Sequence, residues 1–159
     1  MEKLDATDRE LLKLLQKGDM CKPGSTKLAH RLKAPITTVH SKLKRLEKLG
    51  VIKGYPAAVD GKKVGAGLTI FTVLKVNYAV RYKSGESIRK FGEELSRIPE
   101  VLELHSCSGD WDYLIKLKVK DSDDYARIGS EMILPLGGIE RMESYIAYIT
   151  HKESSAVPL

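Results

Sequence analysis

Cysteine is nearly absent from this chain. Cys21 and Cys107 are the only two, lie far apart and form no Cys-x-x-Cys pair. That excludes a disulfide framework and the paired-cysteine spacing of a zinc ribbon. Both read as ordinary small apolar residues. Long apolar runs are missing too: none approaches the roughly 20 residues needed to cross a bilayer. The opening "MEKLDATDRELL" is charged and lacks the apolar stretch of a signal peptide. A cytoplasmic protein with no membrane partner is the expectation. There is no Ser/His/Asp or Cys/His set, no phosphate-cradling glycine loop and no metal-ligand spacing. The sequence therefore assigns no catalytic residue, no metal ligand and no cofactor, and argues against an enzyme.

What is present suits a folded protein. Of 159 residues, 42% are hydrophobic and 30% charged, enough for one mid-sized domain or two small ones. The net charge of +6 is unevenly spread. Residues 1–65 hold 15 Lys and Arg against 7 Asp and Glu, whereas residues 66–159 hold 12 against 14. A basic first part joined to a mildly acidic second suggests a nucleic-acid-binding module with a partner domain. Charge alone leaves open a basic domain with no such partner.

The first part reads as three helices. "DATDRELLKLLQ" places Leu11, Leu12 and Leu15 at helical spacing, with Asp5 or Thr7 as cap. "KGDMCKPG" breaks it. "STKLAHRL" is a second, short helix with Leu28, Ala29 and Leu32 on one side. After "KAP", "ITTVHSKLKRLEKLG" forms a third, with Val39, Leu43 and Leu46 inward and Gly50 at its end. Two short β-prone pieces follow around Gly54–Pro56, with a second turn at Asp60–Gly61. Three helices and a small hairpin are the plan of a winged helix-turn-helix. At 100° per residue, the outer face of the third helix carries Thr37, Thr38, Ser41, Lys44, Arg45 and Lys48, with Lys42 mid-helix. Hydroxyls near the start and cations further along suit a helix that reads base edges and neutralises phosphates. Arg45 either pairs with a guanine edge or holds a phosphate.

The second part reads β-α-β-β-α-β. "GLTIFTVLKVNY" is a strand apolar on both faces, and "SGESIRKFGEELSRI" a helix with Ile88, Phe91, Leu95 and Ile98 inward, ended by Pro99. "VLELHSCSG" is a strand and Gly109–Asp110 a turn. "DYLIKLKV" alternates Tyr113, Ile115, Leu117 and Val119 against polar partners. "DSDDYARIGSEMI" is a helix capped by Ser122 or Asp123, and "GIERMESYIAYIT" the last strand. The fold class is α+β, a winged helix-turn-helix followed by a ferredoxin-like βαββαβ domain. The expected bounds are 1–54 for the first domain, 55–66 for the wing and linker, and 67–159 for the second. Two helices cover one face of a four-stranded sheet. The other keeps apolar residues, including Tyr145, Ile146, Ala147 and Tyr148, which implies a partner surface and favours a two-fold dimer.

With these residues in view, the chain resembles the Lrp/AsnC family, the leucine-responsive or feast/famine regulators. "LDATDRELLKLLQ" is similar to the family's opening helix, with Leu-Asp and a second Asp three residues on. "KLAHRLKAPITTVHSKLKRLEKLGVIKGY" resembles its helix-turn-helix and wing entry. "SGDWDYLIKLKV" resembles the Gly-Asp-x-Asp turn of its amino-acid-sensing domain. The resemblance covers residues 4–150. It implies a transcription regulator that binds double-stranded DNA as a homodimer, assembles further to octamers, and senses a small amino-acid effector between regulatory domains. It places Gly109, Asp110, Trp111 and Asp112 at the effector site, with Ser106 and Ser108 leading in and Glu143 and Ser144 on the last strand nearby. Either Asp110 or Asp112 would accept from the effector's ammonium group, and turn N–H groups or serine hydroxyls would hold its carboxylate. Trp111 packs either over the ligand or at a subunit contact. Three departures bear on the operator sequence: Pro35 stands where the family commonly has a capping Ser, Lys42 where it often has Arg, and the loop "KGDMCKPGS" is not the usual sequence there. An architectural DNA-binding protein without an effector is the alternative. A metal reading of His105, Cys107, Asp110 and Asp112 has an unusual ligand mix.

Overall fold

The computed structural model describes residues 4–17, 24–83 and 88–159. The expected helix break at "KGDMCKPG", Cys21 and the expected helix start at 84–87 lie outside the described residues, wholly or in part. The chain forms two compact units. One comprises residues 1–58 with 153–159, the other residues 59–152.

In the first unit, α1 (Ala6–Leu15), α2 (Ser25–Leu32) and α3 (Ile36–Lys48) bury Leu11, Leu12, Leu28, Ala29, Val39 and Leu46. Leu43, expected inward, is only partly buried. The turn between α2 and α3 is tight: Lys33 takes a left-handed conformation at φ 50° and Pro35 caps α3 through its backbone. The Pro35 carbonyl accepts the Val39 N–H at 3.1 Å. Past α3, Gly50 sits at φ 68°, where glycine has no Cβ penalty. Residues 51–60 contain no strand, so the two β-prone pieces do not pair. Gly54 disfavours a strand, and Pro56 has no N–H for a ladder. Tyr55 instead donates its hydroxyl to Glu47 at 2.8 Å. Burial, reinforced by that carboxylate, pushes the Tyr55 phenol up to about 12.

Asp5, not Thr7, caps α1, and it does so reciprocally. Asp8 N–H donates to Asp5 Oδ1 at 2.8 Å and Asp5 N–H to Asp8 Oδ2 at 3.0 Å, a capping box. The Asp8 side chain has no exposed surface. Two cations of α3 reach it: Lys42 Nζ at 3.1 Å and Arg45 Nη2 at 2.5 Å. Lys42 also meets Asp5 at 2.5 Å. Burial pushes the Asp8 carboxyl up, but hydrogen bonds from Arg45, the Asp5 amide and Lys42 outweigh it and hold the group down at about 2.

The second unit is a four-stranded antiparallel sheet of β1 (Leu68–Val76), β2 (Val101–Ser106), β3 (Tyr113–Val119) and β4 (Ile139–Ile146). Its order is β2-β3-β1-β4, the order a split βαβ pair demands. Alternation along β3 is strict: Tyr113, Ile115, Leu117 and Val119 are buried. They join Ile70, Leu74 and Val76 of β1, Phe91 and Leu95 of α5 (Ile88–Leu95), and Ile128 of α6 (Ser122–Ile128). Phe91 meets Tyr113 edge-on at 5.4 Å between centroids. The expected α6 cap differs: Asp121, not Ser122 or Asp123, accepts from the Asp124 N–H. Asp121 is the last extended residue, and that backbone suits an N-cap. A π turn over Gly129–Ile133 and a 3-10 turn over Leu134–Leu136 extend α6.

One helix is not foreseen. β1 ends at Val76, and α4 (Tyr78–Lys83) follows at once. It delivers Arg81 to the interior, 3% exposed. Arg81 donates to the Leu136 carbonyl at 2.6 Å and to Glu94 at 3.3 Å, and lies over the Phe91 ring at 4.7 Å. Gly138, at φ 68°, makes room for it, since a Cβ there would stand 2.5 Å from Arg81 Cδ. The sequence reading ends a strand at Tyr78 and assigns no helix there, but Asn77 caps one: its Oδ1 accepts the Val80 N–H at 3.2 Å.

Asp8 is the first unit's most consequential charge. A carboxyl held below its unfolded value contributes stability that is full above about pH 4 and lost as the pH falls towards 2, on the order of 2 kcal/mol. Asp8→Ala leaves two cations without their shared partner and is expected to cost about 3 kcal/mol, read by denaturant unfolding at neutral pH; the deficit against wild type should shrink below pH 3. The chain's final residues also belong to this unit: Val157 and the Gln16 side chain exchange two hydrogen bonds, at 2.6 and 3.1 Å, and Leu159 packs on its core. Removing residues 153–159 should destabilise the first unit by about 1–2 kcal/mol and leave the second unit's melting unchanged, as calorimetry would resolve.

Candidate functional site

α3 presents a polar outer face. Thr37, Thr38, Ser41, Lys44 and Lys48 are exposed. The Ser41 hydroxyl donates to the Thr38 carbonyl at 3.4 Å, which turns it along the helix. Lys44 and Lys48, one turn apart, make no ion pair with a described residue. Lys42 and Arg45 differ. Lys42 is 16% exposed and Arg45 39%, and both are held on the α1 carboxylates. The seven residues predicted for DNA thus divide into five that face solvent and two that face α1. Sequence periodicity does not separate the two sets, because the partners Asp5 and Asp8 lie more than thirty residues away.

The eight residues predicted for an effector do not fall in one place. Ser108, Gly109 and Asp110 are exposed at the tip of the β2–β3 hairpin, where Gly109 has φ 110°. The hairpin closes through the Cys107 N–H on the Asp112 carbonyl at 2.8 Å. Cys107 itself is exposed, against its reading as an apolar residue.

Asp112 turns inward from the same hairpin. It accepts from the Val76 N–H at 2.8 Å and the Tyr78 hydroxyl at 2.5 Å, with Lys75 Nζ 3.6 Å away. Burial opposes its ionisation, but the Tyr78, Val76 and Lys75 contacts prevail and lower its pKa. Asp112 is thereby a fastener between the hairpin and the β1–α4 corner. Trp111 beside it carries the Arg141 guanidinium over its ring at 4.1 Å. Ser106 lines a shallow groove with Arg89, Gly92, Glu93, Ser96 and Tyr113.

The two β4 residues lie on opposite sheet faces. Ser144 faces α6 and shares a hydrogen-bonded cluster with Thr72, at 3.2 Å, and Tyr125. Thr72 also bonds Tyr125 at 2.8 Å. Glu143 lies on the open face, accepting from the Tyr145 hydroxyl at 2.9 Å and pairing with Arg141 at 3.6 Å. Ser106 and Ser144 sit on the sheet's two edge strands, so these residues form no single cavity within one chain. The sequence reading missed Lys75, Tyr78 and Arg141. Strand alternation is the one signal that could have placed Lys75 and Arg141 together, as they are register partners.

The open face is only partly polar. Phe71 and Tyr145 are register partners there, 37% and 56% exposed. Among the described residues no group of His, Cys, Asp and Glu has the arrangement to hold a metal ion, and no helix is long and apolar enough to cross a membrane.

Comparison with known proteins agrees with this architecture. A family model described as the Lrp/AsnC ligand binding domain matches residues 76–157, and a winged helix-turn-helix DNA-binding model matches residues 4–53. An HTH-type transcriptional regulator of Pyrococcus horikoshii is 30% identical over 152 residues, covering 96% of this chain and 97% of that one. The DNA-binding transcriptional activator DecR of Escherichia coli is 31% identical over 156 residues, covering 98% and 99%. A Neisseria meningitidis transcriptional regulator solved as an L-Met complex superposes with a TM-score of 0.86, at 23% identity and 98% and 97% coverage. The family consists of transcription regulators rather than enzymes, and its ligand-binding domain occupies the second unit. With a helix-turn-helix in its first unit and a ferredoxin-like ligand-binding domain in its second, the chain is a member of the Lrp/AsnC family of DNA-binding transcriptional regulators.

Proposed function

We propose that this regulator binds double-stranded DNA in the cytoplasm as a homodimer assembling to larger oligomers, with Thr37, Thr38, Ser41, Lys44 and Lys48 at the duplex, and that a small α-amino acid held at the second unit changes that binding. The exposed hydroxyl-and-cation face of α3 is the observation that supports the DNA contact most directly. Hydroxyls at its start suit base edges, and Lys44 and Lys48 suit phosphates. The half-open pair Phe71 and Tyr145 supports a dimer through the uncovered sheet face. Two copies of α3 then match a two-fold symmetric operator.

For the effector, the two hairpin aspartates have different parts. Asp112 is engaged by Val76, Tyr78 and Lys75. Asp110, exposed at the tip, is the acceptor for an ammonium group, with Ser108 and the turn N–H groups as donors to a carboxylate. The L-Met complex of the Neisseria meningitidis neighbour supports an amino acid as the ligand class. Effector binding would act by favouring one pre-existing assembly over another.

The test is fluorescence anisotropy on a labelled duplex from upstream of its own gene, against a scrambled duplex, with and without pooled amino acids. Preference for the native duplex that shifts with amino acids is the expected result. Equal affinity for both duplexes, unmoved by amino acids, would sink the reading in favour of an architectural protein. Asp110→Asn should weaken the amino-acid response at least tenfold and leave unliganded DNA binding unchanged. Asp112→Ala should instead lower the second unit's stability by about 1–3 kcal/mol, visible as a lower melting temperature.

A further inference from the structure

The cations of α3 fall on two lines. Lys44 and Lys48 are four residues apart and face solvent. Lys42 and Arg45 are three apart and meet Asp5 and Asp8, themselves three apart on α1. Two pairs of equal spacing thus face each other across a helix crossing. Every carboxylate oxygen in this set has a donor. Asp5 Oδ1 takes the Asp8 N–H and Asp5 Oδ2 takes Lys42. Asp8 Oδ1 takes Lys42, and Asp8 Oδ2 takes Arg45 and the Asp5 N–H. Two negative charges offset two positive ones, and the Asp8 side chain is completely buried. Moving Lys42 or Arg45 to a phosphate would remove a partner from a carboxylate that water cannot reach. One phosphate contact at the wet surface of a duplex does not offset that loss.

We propose that Asp5 and Asp8 are positioning residues for the recognition helix, and that Lys42 and Arg45 belong to this internal frame and not to the phosphate-contact set. The inference rests on the reading of α3 as the DNA-contacting helix. The capping box ties both carboxylates to the first turn of α1. The two cations carry that constraint across to the middle of α3, and so set the angle at which Thr37, Thr38 and Ser41 meet the bases. DNA affinity then depends on Asp8 although Asp8 touches no DNA, and the number of phosphates neutralised depends on Lys44 and Lys48 alone among these four cations.

The dependence of affinity on salt separates the two roles, because its log–log slope counts neutralised phosphates at about 0.9 each. Full-length protein is titrated onto the upstream duplex over a potassium chloride series, below the melting temperature of every variant. Lys44→Gln and Lys48→Gln should each lower the slope by about 0.9 per engaged protomer. Lys42→Gln and Arg45→Gln should weaken binding about tenfold at every salt concentration with the slope unchanged, and Lys42→Arg should restore most of the loss. Asp8→Asn should behave like Lys42→Gln. A slope that falls for Lys42→Gln or Arg45→Gln as it does for Lys44→Gln would overturn the proposal. So would an Asp8→Asn variant that binds more tightly with a steeper slope, since the carboxylates would then be withholding cations from the DNA. Should Asp8→Asn not fold, the Lys42 and Arg45 variants decide the matter. Wild-type protein that binds no duplex at low salt is a different failure, that of the DNA-contact reading itself.

Discussion

A carboxylate with no exposed surface stands where α1 crosses α3, and the first unit is organised around it. Asp8 closes the cap of its own helix and accepts from two cations of another. Buried charge is tolerated only when its hydrogen-bonding capacity is filled, and here each oxygen is occupied. The hydrophobic contacts of Leu11, Leu28, Val39 and Leu46 hold the helices together, but such contacts are non-directional and permit sliding. The ionic set does not, since a shift of one residue along α3 would separate Lys42 and Arg45 from their partners. A DNA-reading helix needs that kind of fixed direction more than it needs further stability.

The second unit meets a comparable demand with a different device. Its helices cover one sheet face, and a second carboxylate, Asp112, pins the β2–β3 hairpin to the corner where β1 gives way to α4. Arg81 does the same for α4 itself, reaching Leu136 and Glu94 from inside the core. The hairpin tip is thus an exposed turn on a rigid base. Ser108, Gly109 and Asp110 remain available to a ligand while Trp111 and Asp112 are held from behind. A turn on a fixed frame would lose less conformational entropy on taking up a ligand than a free loop would. The uncovered sheet face keeps Phe71 beside Tyr145, both partly exposed.

Two pairs of aspartates show how far a sequence can be read. Asp5 and Asp8 share a helix start with apolar residues behind them, and the reading takes Asp5 as one of two possible caps. Asp110 and Asp112 flank a tryptophan in a turn, and both read as ligand groups. In the structure Asp8 and Asp112 turn inward to partners distant in the chain, whereas Asp110 stays in solvent. The same division separates Lys42 and Arg45 from Lys44 and Lys48. Residue type and spacing identify the surface a helix or turn presents. They carry no information on which of its charges meets a partner thirty or more residues away.

The sequence by itself determined the three helices of the first unit, the four strands and two main helices of the second, and the family, because periodicity, turn residues and the three family motifs are local. The strict alternation of β3, the three-leucine stripe of α1 and the short α2 all appear where the residues predict. Three matters were decided only by tertiary structure. Residues 51–60 form no paired strands, since pairing needs a partner at the right register and Pro56 offers no donor. α4 forms just where the reading ends its first strand and assigns nothing further, and its Arg81 gains the Leu136 carbonyl and the Glu94 carboxylate, which local propensity does not include. The candidate effector residues divide between two sheet faces and a hairpin tip, since adjacent strand residues such as Glu143 and Ser144 must point to opposite sides. For α4 the long-range hydrogen bonds and ion pair of Arg81 weighed in the decision, and they arise only once the chain has folded.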